Sequence, residues 1–382
     1  MIPARWLATA EACSLSDRME ATNGRSTGFD YLRIFLALSV ILWHSFGLSY
    51  GTALKVPAGA NILTAILDSI LPMFFALSGF LVAGSLARNT SLVTFLGLRA
   101  LRIVPALAVE VLLSALILGP ILTTATLYGY FTDAKFYGYF LNMVGDIHYI
   151  LPGLFQSNPF PDIVNGQLWT VPWELECYLV LAASAILGIV NRRALFLVGV
   201  LVTCAVLGVW DARSGTLSGA PLLVGFLSGV AIFQYRDIIP WDGKLAALGA
   251  AMMLYFFWMP GGSYILAGIP AAYLTVYLGL ANPGKIALLR GADYSYGLYL
   301  YGFTIQQSVA RVFPWAHHWY LNLLLAVPIA SLFAALSWRM VEKPALGLRT
   351  YLPRLGFTLP RDLPLRPGLR AGEPRDLSKI FQ

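Results

Sequence analysis

Charged side chains are scarce. The chain has 382 residues, and Lys, Arg, Asp and Glu together make only 12% of them. A water-soluble domain carries about a quarter. This shortage excludes an ordinary soluble surface. Apolar residues make 58% of the chain, and they recur in runs of about twenty, the length that crosses a bilayer. Runs that long also exclude an α/β enzyme with buried parallel strands, whose apolar stretches are far shorter. Cysteine is nearly missing. Cys13, Cys177 and Cys204 are odd in number and fit no disulfide or metal spacing. The last two fall in apolar runs and read as small core residues. Residues 1–29 lack the charged, apolar and small-residue order of a signal peptide. There is no internal repeat and no low-complexity tract.

What is there is a series of apolar spans. Their cores fall near 30–50, 62–86, 103–125, 168–190, 194–210, 217–235, 245–260, 264–281, 294–313 and 321–339. The expected fold is an all-α polytopic integral membrane protein of about ten transmembrane helices. Residues 1–29 form a polar leader, 30–344 the membrane domain and 345–382 a charged, Pro-rich tail. With the amino terminus in the cytoplasm, one set of connections holds Arg88, Arg99, Arg102, Arg192, Arg193, Arg236, Lys244, Lys285, Arg290, Arg339, Lys343 and Arg349. The other set holds Lys55, Lys135, Arg213 and Arg311. That asymmetry is what the positive-inside rule expects, and it puts both termini in the cytoplasm. The net charge of +7 is therefore an orientation signal with a contribution from anionic lipid, and not a nucleic-acid footprint.

Arg33 and His44 lie in the first span. An ionisable side chain inside a membrane helix is a functional candidate by default. Eleven steps along a helix return to within roughly 20° of the same face, about 16 Å further on. Arg33 suits a phosphate or carboxylate, or snorkels to the membrane edge. His44 suits proton transfer near neutral pH, or is a buried histidine bonded to a neighbouring helix. Arg99 and Arg102, three apart, share a helix face and read as a phosphate cradle or as an inner-edge anchor. Ser78-Gly79, after Pro72, reads first as a packing motif. Glu174 and Glu176 stand at the expected outer end of the fourth span, on different faces. Either Glu174 orients His44 or it is an interfacial acid. The segment 126–167, rich in aromatic and amide residues, suits a sugar ligand or a structured interfacial loop. The segments from Asp293 to Tyr301 and from Trp338 to Pro344 are weak signals by themselves.

Taken in order, these pieces resemble the membrane acyltransferase-3 family of integral-membrane glycan O-acyltransferases. Arg33 and His44 match its Arg-x10-His. Phe74-Phe75-Ala76-Leu77-Ser78-Gly79-Phe80, Arg99 with Arg102, Trp169-Thr170-Val171-Pro172-Trp173-Glu174, Ser295-Tyr296-Gly297-Leu298-Tyr299-Leu300 and Glu342-Lys343-Pro344 match its other motifs. The family often places a histidine shortly after Tyr-Leu. Here those places hold Tyr301, Gly302, Phe303 and Thr304. Glu176 falls where the family often has Gln.

The resemblance implies transfer of an acyl group, most often acetyl, from cytoplasmic acetyl-CoA to a carbohydrate or lipid-linked glycan, in the bacterial inner membrane and without a metal. It implies catalytic roles for His44, Glu174 and Arg33, and donor binding by Arg33, Arg99 and Arg102. Trp169, Tyr299, Ser78 and Glu176 become the candidate substrate contacts. Ten spans with buried charges also suit a secondary transporter or glycan exporter. Such proteins often show two-half symmetry, which is absent here.

Overall fold

The computed structural model describes residues 13–24, 26–51, 61–88, 91–214, 219–259, 263–284, 286 and 292–355. Among them there is no strand, only the isolated bridges Ser14 with Pro240 and Ile150 with Ile163. The helices in chain order are α1 (Leu15–Ala21), α2 (Gly28–Tyr50), α3 (Ile62–Arg88), α4 (Leu92–Leu113), α5 (Gly119–Leu122), α6 (Leu127–Thr132), α7 (Ala134–Tyr139) and α8 (Thr170–Ile186). They continue with α9 (Arg193–Ser214), α10 (Ala220–Gln234), α11 (Gly243–Trp258), α12 (Gly268–Gly279), α13 (Ser295–Val312), α14 (Trp319–Ser337) and α15 (Lys343–Gly347). A π-helical turn, Ser114–Leu118, joins α4 to α5.

Among the described residues, five helical stretches are long and apolar enough to cross a membrane: Gly28–Tyr50, Ile62–Arg88, Leu92–Leu122, Arg193–Trp210 and Trp319–Leu352. Ala220–Gln234, Gly243–Trp258 and Tyr264–Gly279 are apolar but shorter. Each of the ten expected spans coincides with a helix, and about half of them meet the length and composition of a span. The others fall short for local reasons. α8 has 17 residues. α13 buries Thr304, Gln306 and Gln307 on its inner faces.

The bundle is built around α3, of whose apolar window 72% is buried, against 17% for α9. α9 instead exposes Leu197, Val198, Leu201, Val202, Val206 and Val209, an apolar face suited to lipid rather than water. α3 meets α10 backbone to backbone. A Cβ on Gly79 would lie 2.0 Å from the Phe226 carbonyl oxygen, and one on Gly229 2.2 Å from that of Ala76. Lipid provides no hydrophobic drive between helices, so close contact through small residues supplies the packing. α2, α13 and α14 join around Ala37, Ile41, Leu298, Ala330 and Ala334.

The 126–167 segment does not stay at one end of the bundle. After α7 it turns on Asn142, whose side chain binds the carbonyl oxygens of Tyr139 and His148, and then runs into the protein beside α13. Asn158 Nδ2 donates to the backbone and side chain of Gln307, at 2.9 and 2.7 Å. Gln307 Nε2 donates back to the carbonyl oxygens of Phe160 and Ile163. Gln167 Nε2 donates to those of Tyr299 and Leu300, at 3.0 and 2.7 Å. Irregular backbone at this depth is tolerable because protein, not lipid, satisfies it. The short 3-10 turn Gly166–Trp169 then starts α8 in the interior.

Part of the expected leader is structured. Ser14 and Asp17 close a capping box on α1, and the Ser14 hydroxyl holds the Asp17 carboxyl below the usual carboxylate range. α1 buries Leu15 and pairs its backbone with Arg236 and Ile239, while Arg18 stacks over Trp241 at 4.1 Å. The expected tail also begins as helix, running through α15 to Leu355 and laying Leu352 on Gly97. Residues 1–12 and 356–382, with Lys55, Lys285 and Arg290 of the charge census, lie outside the described residues.

The α3–α10 contact predicts that Gly229→Val destabilises the folded protein by about 1–3 kcal/mol through overpacking. Thermal unfolding in detergent checks it against Gly199→Val, where a Cβ meets nothing within 4 Å. Equal midpoints for the two variants contradict the close contact.

Candidate active site

Three arginines and three carboxyl groups converge inside the bundle. Arg33 comes from the start of α2, Arg99 and Arg102 from α4, and Glu174 from the start of α8. Asp293 lies two residues before α13, and Glu342 ends the π-helical turn after α14. Asp293 Oδ2 accepts from Arg33 at 3.1 Å and from Arg102 at 2.7 Å. Its other oxygen accepts from the Ser295 hydroxyl at 2.6 Å and from the Ser295 amide. Arg102 also pairs with Glu342 at 3.6 Å and lies over the Tyr296 ring. Ser337 donates to Glu342 at 3.0 Å. Arg33 and Arg102 are therefore committed. Arg99 has no ion-pair partner among the described residues, and its Nε is buried without a hydrogen bond. Arg88, at the end of α3, lies within electrostatic range of it.

Arg33, Arg99, Arg102 and Glu174 line a cavity of about 130 Å³ together with Leu71, Phe74, Ser78, Val82, Thr170, Tyr178 and Tyr299, among others. The Tyr178 hydroxyl donates to Glu174 and lies 3.4 Å from the Ser78 hydroxyl. From Val82 to Leu71 the cavity follows α3 for eleven residues, about 16 Å.

His44 lines a different cavity, of about 180 Å³, with Trp43, Phe46, Gly47, Leu48, Phe160 and Phe303. Its ring meets Phe303 edge-on at 5.1 Å, and Phe46 stacks on Trp319 at 4.9 Å. Apart from His44 the lining side chains are apolar or aromatic. The two cavities share no lining residue. They follow one another along α2, one containing Arg33 and the other His44.

A family model described as an acyltransferase domain matches residues 26–341. The chain belongs to the acyltransferase-3 family. It is similar to nodulation protein 10 of Rhizobium leguminosarum bv. viciae, at 30% identity over 367 residues, covering 87% of this chain and 96% of that protein. It is also similar to the O-acetyl transferase of Shigella phage Sf6, at 25% identity over 348 residues, covering 84% of this chain and 96% of the phage protein. No solved structure matches.

Within this acyltransferase the expected site residues divide. Arg33, Arg99, Arg102, Ser78, Glu174 and Tyr299 share the first cavity, and His44 stands in the second. Glu174 thus bonds Tyr178 among the arginines, and not the imidazole it was expected to orient. The inward path of the 126–167 segment starts α8 deeper than an outer span end. Glu176, two residues on, is exposed on the other side of α8. Trp169 lines neither cavity. In place of the expected three-arginine cradle, two of the guanidinium groups are ion-paired and Arg99 has no ion pair among the described residues. Asp293 and Glu342, which hold those two, stood only as letters in weak motifs. The need to pair buried arginines with nearby acids was the signal that could have singled them out. Thr170 stood only as a letter in the Trp169–Glu174 motif, and Tyr178 gave no signal.

Removing Asp293 leaves two guanidinium groups facing each other. Breaking a buried pair costs about 3–5 kcal/mol. Because Arg33 and Arg102 are 27% and 22% exposed, solvent screening reduces the expected loss for Asp293→Ala to about 2–4 kcal/mol. Arg193→Ala, which breaks the exposed Arg193–Asp237 pair, costs less than about 1 kcal/mol. Unfolding midpoints in detergent give the comparison, and equal shifts contradict the account of Asp293.

Proposed function

We propose that this acyltransferase moves an acyl group, acetyl by its similarity to the phage O-acetyl transferase, from acyl-CoA to a hydroxyl of a cell-surface or exported carbohydrate. The observation that carries the reading is the succession of two unlike cavities along α2, one cationic and one aromatic around an imidazole. Arg99, the uncommitted cation, takes a phosphate group of the donor in a forked geometry. Asp293 and Glu342 keep Arg33 and Arg102 from collapsing onto that anion and fix the cavity wall. The length of the cavity along α3, about 16 Å, suits an extended pantetheine arm.

Trp43, Phe46, Phe160 and Phe303 offer faces on which the apolar side of a sugar ring packs. His44 accepts the proton of the sugar hydroxyl. The oxygen then bonds to the thioester carbonyl carbon, the C–S bond breaks, and the imidazolium returns its proton to the departing thiolate. Glu174, through Tyr178, orders the channel beside Arg99 and takes no part at His44. In the cell this reading places Arg33, the amino terminus and the basic connections on the cytoplasmic side of a bacterial inner membrane, with about ten helices in the bilayer and anionic lipid at the basic edge.

Loss of a general base costs about 10²–10⁴-fold in rate, so His44→Ala is expected to lower transfer of labelled acetyl from acetyl-CoA to glycan by that factor. Loss of a charged hydrogen bond costs about 1.5–3 kcal/mol, so Arg99→Ala is expected to raise the KM for acetyl-CoA by roughly 10–100-fold while leaving the KM for glycan unchanged. A parental transfer rate in purified His44→Ala removes the mechanism.

A further inference from the structure

The two cavities lie along one helix pair and share no lining residue. Asp293 meets Arg33, so the start of α13 lies level with Arg33 on α2. From there Tyr299 is six residues along and Phe303 ten, about 9 and 15 Å on. His44 is about 16 Å beyond Arg33. Phe303 therefore reaches the level of His44, which its ring touches, and Tyr299 falls between the two cavities. Tyr299 and Phe303, four apart, share a face of α13. Both rest against the same short turn. A Cβ on Gly166 would lie 2.7 Å from the Phe303 ring. The Tyr299 hydroxyl lies 2.6 Å from the Thr170 hydroxyl and donates to the Gln167 carbonyl oxygen at 3.1 Å. Phe74 meets the Tyr299 ring edge-on from α3 at 6.0 Å.

We propose that Tyr299 is the partition between the cavities, held across the passage by its hydrogen bonds to Thr170 and to the Gln167 carbonyl oxygen. Its ring must swing aside for the acyl group to reach His44. While latched, it keeps water in the aromatic cavity away from the cationic one. The inference rests on the acyl-transfer reading for its purpose, and the partition itself is tested without any turnover.

The test uses full-length protein in sealed membranes, with Cys13, Cys177 and Cys204 replaced by Ser. One cysteine is then introduced, either Phe160→Cys in the aromatic cavity or Ser78→Cys in the cationic one. A small charged methanethiosulfonate reagent is applied from the side on which Phe160→Cys reacts. With Tyr299 and Thr170 intact, Ser78→Cys is expected to be protected. Adding Thr170→Val removes one latch bond of order 1 kcal/mol, and the Ser78→Cys reaction is expected to speed up by at least about threefold. Tyr299→Ala is expected to raise it further. The reaction of Phe160→Cys serves as the folding control and stays unchanged in both. The partition is overturned if Ser78→Cys reacts as fast as Phe160→Cys with the latch intact. It is equally overturned if neither added substitution accelerates Ser78→Cys by that factor. Because the readout is accessibility, it stays interpretable whatever His44→Ala does to transfer.

Discussion

A carboxylate between two arginines holds this molecule together at its most expensive point. Charges inside an apolar bundle are tolerated only when paired and hydrogen-bonded, and Asp293 does both for Arg33 and Arg102. The pairing binds α2, α4 and the start of α13 to one another, and Glu342 adds the end of α14 through Arg102. Four segments distant in sequence thus meet at one level of the bundle. The same arrangement leaves Arg99 without an ion-pair partner among the described residues.

The second constraint is the depth of the 126–167 segment. Its amides do for α13 what a neighbouring helix cannot. Gln167 and Asn158 spend their donors on carbonyl oxygens of α13, and Gln307 on α13 spends its own on the segment. The start of α8 is thereby delivered beside the arginines, with Thr170 against Tyr299 and Glu174 against Tyr178. Seating a loop this way also builds the wall that carries Phe160 and Gly166, and so shapes the space around His44.

Much of this was legible in the residues. The length of the apolar runs and the shortage of charge sufficed to find the apolar helices, and Arg33 and His44, expected on one span, do share α2, where each lines its own cavity. The placement of Ser78 in one cavity with the arginines was not legible from the residues alone, because Ser78-Gly79 carries a packing signal that α10 does in part explain. The depth of Glu174 was hidden for a clearer reason. It depends on amide contacts between residues more than 130 positions apart, which leave no periodicity behind. α1 was misjudged as leader although Ser14 and Asp17 stand in a capping spacing, since a seven-residue polar helix is stable only when docked. Its docking partners lie more than 200 residues away.

The central claim is that the donor's anionic end rests on Arg99 while its acyl end points toward His44. The most direct measurement is a cryo-electron microscopy map of the purified protein with coenzyme A bound. The account predicts phosphate density within hydrogen-bond reach of the Arg99 guanidinium, the arm running along α3 past Ser78, and the Arg33–Asp293–Arg102 pairs unchanged. Density for the phosphates beside His44, or Asp293 displaced from both arginines by the ligand, would contradict it.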